Sequence, residues 1–106
     1  PEPQATKARL EQHVKLFDSR DKNLQLGVVA FRKKILSEPR RKDQLAKFIK
    51  AYNIAVDSIN RRGVQHYASI ITKYMGADAK TISNLPKLKY EHAMEPRRRD
   101  LAVAQK

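Results

Sequence analysis

Leu16-Phe17-Asp18-Ser19-Arg20-Asp21, followed by Leu26-Gly27-Val28-Val29-Ala30-Phe31-Arg32-Lys33-Lys34, is the stretch on which the fold class turns. Leu26–Phe31 is a continuous apolar run rich in β-branched residues, the pattern of a strand covered on both faces. Gly27 within it permits close backbone approach. Val14-Lys15-Leu16-Phe17 reads as a shorter strand, and Asp18 to Asn23 as a polar turn between the two. The expected class is therefore α/β, mostly helical with about two strands, in the order α-β-β-α-α-α-α. Two strands do not complete a sheet. The Leu26–Phe31 run then wants a neighbour from a further segment or a second copy, so the chain reads as a fragment or as a homo-oligomer joined through an unpaired strand.

Working outward, the C-terminal side is helical. Ser37-Glu38-Pro39 has a capping hydroxyl and then a proline suited to a first turn. Leu45, Phe48, Ile49, Tyr52, Val56 and Ile59 recur at i, i+3, i+4 and i+7, predicting a helix from Pro39 to Arg62 that buries this face. Gly63 ends it. Val64, Tyr67, Ala68, Ile71 and Met75 make a second apolar face closed by Gly76. Asp78 can cap a short helix holding Ile82 and Leu85, stopped by Pro86. Residues 87–94 look extended, and Pro96 opens a last helix through Leu101 and Val103. On the N-terminal side, residues 4–12 favour helix behind Pro3.

The chain has 106 residues, 41% of them hydrophobic, and a formal net charge of +12. This is room for one domain with a modest core. No run reaches the roughly 20 apolar residues of a membrane-spanning helix. The absence of cysteine excludes disulfides and thiolate metal sites. His13, His66 and His92 share no metal-ligand spacing. No glycine-rich phosphate loop and no nucleophile elbow is present. No cofactor and no catalytic residue is expected. The opening Pro1-Glu2-Pro3, without methionine or signal sequence, reads as a cut within a longer protein.

These segments, in this order, resemble the periplasmic solute-binding proteins of bacterial ABC importers, in the group that takes nitrate, taurine, alkanesulfonates and pyrimidine or thiamin precursors. The resemblance rests on Glu2-Pro3 with a helix behind it, and on Leu16-Phe17-Asp18-Ser19. It continues through Val28 to Lys33, Phe48-Ile49-Lys50-Ala51-Tyr52, Ala55-Val56-Asp57-Ser58-Ile59-Asn60, Ile71-Thr72-Lys73-Tyr74-Met75-Gly76 and Leu85-Pro86. No single motif is specific; the ordered set covers nearly the whole chain. It implies a C-terminal fragment of a type II, two-lobed α/β fold. Residues 1–24 would end the second lobe, 25–36 would be a crossover strand, and 37–106 would be helices packed on the first lobe. It implies passive binding of a small solute, delivery to an ABC permease, and a parent that is periplasmic or held outside the cell membrane. Most of the cleft would lie upstream.

Three residues are candidates for ligand contact: Glu2, Asp18 and Ser19. Asp18-Ser19 at a strand end could present polar groups to a solute, although a turn with Asx-type hydrogen bonding accounts for the pair as well. Tyr52, Tyr67 and Tyr74 share helix faces with aliphatic residues and suit packing better than base stacking. One departure from the family concerns charge. Arg40-Arg41-Lys42 and Arg97-Arg98-Arg99 occupy helix starts where relatives carry acids. Each such cation costs about 0.3–1 kcal/mol relative to an acid there. With Arg32-Lys33-Lys34 and Arg61-Arg62, these runs keep a second function class open: a basic helical module that binds nucleic acid through phosphates. For a solute-binding fragment, the same charge implies only weak, non-specific association with nucleic acid.

Overall fold

The computed structural model describes residues 1–18 and 27–105. Its helices are α1 (Gln4–Leu10), α2 (Pro39–Arg62), α3 (Ala68–Met75), α4 (Ala79–Ser83) and α5 (Arg98–Ala104). Short 3-10 turns stand at Lys33–Ser37 and Val64–Tyr67. Contacts divide the chain into two compact units, one of Pro1–Leu16 with Ile54–Glu91, the other of Phe17–Asn53 with His92–Lys106.

The expected α/β class, and with it the two-lobed α/β fold, is corrected. Among the described residues there is no strand, and the chain is all-helical. Leu26 lies outside the described residues; residues 27–32 belong to neither helix nor sheet, and the expected crossover continues into the 3-10 turn from Lys33. Val14–Phe17 is irregular too, with Leu16 95% exposed. The physical reason is pairing. An apolar, β-branched run forms a strand only when a neighbour supplies a ladder, and none is supplied within the described residues. Val28 and Val29 consequently stay more than 60% exposed.

In the first unit, local chemistry sets each helix end. The carboxylate of Glu2 accepts the backbone N–H of Thr6 at 3.1 Å, which satisfies one orphan donor of α1. The Glu2–Pro3 peptide is cis. Gly63, at φ +83°, ends α2, and its N–H donates to the Ile59 carbonyl. Gly76, at φ +67°, closes α3 in the left-handed conformation that costs glycine least. Asp78 caps α4 by accepting the Thr81 N–H at 2.7 Å. This pairing with the Thr81 N–H, reinforced by the Thr81 hydroxyl, holds the Asp78 carboxyl below its ordinary value. α4 packs against α3 and α1. Val56, Ala77 and Ile82 form the buried apolar centre, with Thr6 and Thr81 beside them.

In the second unit, no apolar side chain of a described residue is buried. The periodicity placed α2 at its observed bounds, but its expected core face is corrected. Phe48 is 49% exposed, Ile49 and Tyr52 are exposed as well, and Leu45 is half-buried. In the first unit, Val56 is buried and Ile59 half-buried. Phe31 meets Phe48 edge-on with centroids 6.1 Å apart, so the face is apolar but thinly covered. Ser37 does not act as the expected cap; its hydroxyl donates back to the Lys34 carbonyl at 2.8 Å. At the start of α5, Asp100 is buried and pairs with Arg97 at 2.6 Å and Arg99 at 3.5 Å. An acid in the first turn thereby offsets the arginines that the helix dipole disfavours. Glu38 plays a weaker version before α2, 3.7 Å from both Lys34 and Arg41 at the surface.

Candidate ligand pocket

The first unit contains an apolar pocket of about 420 Å³. α2 contributes Ala55, Ser58 and Ile59, which the 3.6-residue period places on one face. The turn after Gly63 brings Val64 and Tyr67 to it, and α3 adds Ile70, Ile71 and Met75. This is the second apolar face read from the sequence, turned inward on the pocket instead of into a filled core. A third wall comes from Leu85, Pro86, Leu88 and Tyr90, which are in neither helix nor sheet.

Side-chain amides hold that third wall in place. Asn60 donates from Nδ2 to the Tyr90 carbonyl at 2.8 Å and accepts the Tyr90 N–H at 2.9 Å. Gln65 donates to the Leu85 carbonyl at 3.2 Å. A segment with no ladder of its own thus satisfies backbone groups on α2 and on the following turn. In the second unit, Asn53 accepts the Ala93 N–H at 2.8 Å in the same manner. Sequence reading passed over Asn53 and Asn60. Their signal is present: two amides seven residues apart in one helix fall on one side of it.

Of the three predicted contact residues, Glu2 lines the pocket, with Pro3 next to it. One of its oxygens is engaged by the Thr6 N–H. Asp18 is half-buried in the second unit and does not line the pocket. Ser19 lies outside the described residues. The structure therefore does not bring the three together at this site.

The chemistry of the lining is simple. Among the described residues, Glu2 is its single carboxylate, and no lysine, arginine or histidine joins it. The Ser58 hydroxyl donates within its own helix, to the Ile54 carbonyl at 2.8 Å, and so has no activated partner there. His66 stacks edge-on against Tyr67 at 4.9 Å and stands 3.2 Å from Arg62. Among the described residues there is no group of three or more His, Asp or Glu side chains placed to hold a metal ion. Such a lining can hold an apolar body against a largely apolar wall.

No protein-family model matches the chain, and neither a curated protein nor a solved structure matches it.

Proposed function

We propose that this chain binds a small organic solute without transforming it, as part of the solute-binding component of an ABC importer. The pocket of the first unit is the observation that carries this reading. Its volume falls within the roughly 300–1,000 Å³ of small-molecule sites, and it is largely apolar, with the Glu2 carboxylate and the hydroxyl-bearing Ser58, Tyr67 and Tyr90 among its lining residues. The ordered resemblance of the segments from Glu2-Pro3 to Leu85-Pro86 supplies the transport context: a parent outside the cell membrane that hands solute to a permease. The pocket does not favour the anionic members of the family's solute range. Nitrate or an alkanesulfonate would meet a carboxylate and a largely apolar wall, with no cation among the described lining residues.

The test is titration of the chain, followed by amide chemical shifts, with nitrate, taurine, an alkanesulfonate, a pyrimidine and the neutral alcohol 1-hexanol. Hexanol is expected to move resonances around Ile59, Ile71 and Leu85, and nitrate and the alkanesulfonate to leave them unmoved. An Ile71→Trp variant, which fills the pocket, is expected to abolish the response. Hexanol shifts unaffected by that variant, or no shifts at all, would overturn the reading.

A second reading has its own observation. The runs Arg32-Lys33-Lys34, Arg40-Arg41-Lys42 and Arg97-Arg98-Arg99 all fall in the second unit, which supports contact with a polyanion such as nucleic acid. The apolar side chains exposed in the same unit count against it, because phosphates do not cover Val28, Val29 or Phe48.

A further inference from the structure

We propose that the pocket of the first unit selects a monocationic amphiphile: a short hydrocarbon body carrying one protonated amine, with the amine paired to Glu2. This deepens the solute-binding reading and rests on it. Among the described residues, Glu2 is the only charged one in the lining. Lys87 and Lys89, on either side of the lining residue Leu88, are exposed, and solvent and its ions weaken their opposition to a cation. Glu2 is also fixed. Its Oε2 accepts the Thr6 N–H, and Thr6 is only 2% exposed, so the carboxylate is tied to the first turn of α1. A carboxylate has about four lone-pair sites and this bond uses one, so Glu2, a lining residue of the pocket, keeps acceptor capacity for a further donor.

The rest of the lining suits the hydrocarbon and rejects alternatives. Ile59, Ile71, Leu85 and Pro86 present no polar atom to satisfy a second charged or hydroxylated end. The Ser58 hydroxyl proton is committed to its own helix. Tyr67 adds an aromatic face, which attracts a cation as well as an alkyl chain. A dicarboxylate or a phosphate ester would meet the Glu2 carboxylate and, among the described lining residues, no cation. An alkylamine loses little, because its single charge meets the single carboxylate.

Three isosteric probes isolate the claim: hexylamine, 1-hexanol and hexanoate, each titrated into the chain near pH 7 with amide shifts as readout. Hexylamine is expected to bind about tenfold more tightly than hexanol, the scale of one charge-assisted hydrogen bond, and hexanoate more weakly than both. Glu2→Gln keeps an oxygen that can accept the Thr6 N–H but removes the charge; it should bring hexylamine down to the level of hexanol. Ile71→Trp should remove binding of all three. Equal binding of hexylamine and hexanol, or a hexylamine preference that Glu2→Gln leaves intact, overturns this proposal and leaves the solute-binding reading standing. Binding by none of the probes, or binding that Ile71→Trp does not touch, overturns both. The ranking of the three probes on the unaltered chain decides the matter even where a variant fails to fold.

Discussion

At the scale of single residues, Asp78 shows how a short polar side chain directs structure. Its carboxylate takes the Thr81 N–H, so the charged form is favoured in the folded chain and its pKa lies below the ordinary value. The sign of the pH effect follows. A carboxyl with a depressed folded pKa contributes stability above its unfolded pKa, near 4, and loses it as pH falls through the folded value. Acidification from about pH 5 to below the folded value should therefore fray α4, seen as faster exchange of the Thr81 amide. Asp78→Ala should give the frayed state at neutral pH and remove the acid dependence. Phe48 offers the contrasting case. It touches Phe31 but is 49% exposed. Phe48→Ala should cost about 1–2 kcal/mol by urea denaturation, well below the roughly 3–5 kcal/mol of a fully buried phenylalanine.

At the scale of elements, α2 is the organiser. One side carries the apolar residues, and Asn53 and Asn60 hold extended chain by its backbone. In the first unit, Asn60 holds the Tyr90 end of the pocket wall through two hydrogen bonds to its backbone. Asn60→Ala should cost about 1 kcal/mol, the scale of exposed neutral hydrogen bonds. It should also raise exchange at the Tyr90 amide and weaken any ligand of the pocket, while α3 and α4 keep their protection. Loss of helicity in α3 would show instead that the clamp supports the unit as a whole. The two basic helix starts are handled differently. Asp100 pairs with Arg97 and Arg99 from a buried position, while Glu38 and Arg41 face each other 3.7 Å apart at the surface. The α5 pair is accordingly the less salt-sensitive of the two.

At the scale of the molecule, two properties stand together: a net charge of +12 and a buried apolar set confined, among the described residues, to the first unit. The charge predicts association with polyanions that is weak and salt-controlled. Titration of duplex and single-stranded oligonucleotides should give measurable binding at about 50 mM salt and almost none at about 200 mM, through counterion release. Submicromolar, sequence-dependent binding that survives the higher salt would favour the nucleic-acid module over the solute binder. No helix among the described residues is long and apolar enough to cross a membrane.

The sequence by itself determined what depends on near neighbours. The bounds of α2, the glycine stops at Gly63 and Gly76, the Asp78 cap and the apolar face from Val64 to Met75 were legible because helix periodicity and capping act within one or two turns. Glu2 could be singled out, but its place in a pocket could not. That pocket joins the N-terminal residues to Ile59, Ile71 and Leu85, far along the chain. Tertiary structure alone decided that residues 27–31 form no strand, that half of the α2 face stays uncovered, and that Asn60 grips Tyr90 thirty residues away. An apolar run specifies that something should cover it, and leaves open what does. A strand is a property of a pair, and a pocket is a property of several segments meeting. Neither is encoded in the local pattern that makes a helix.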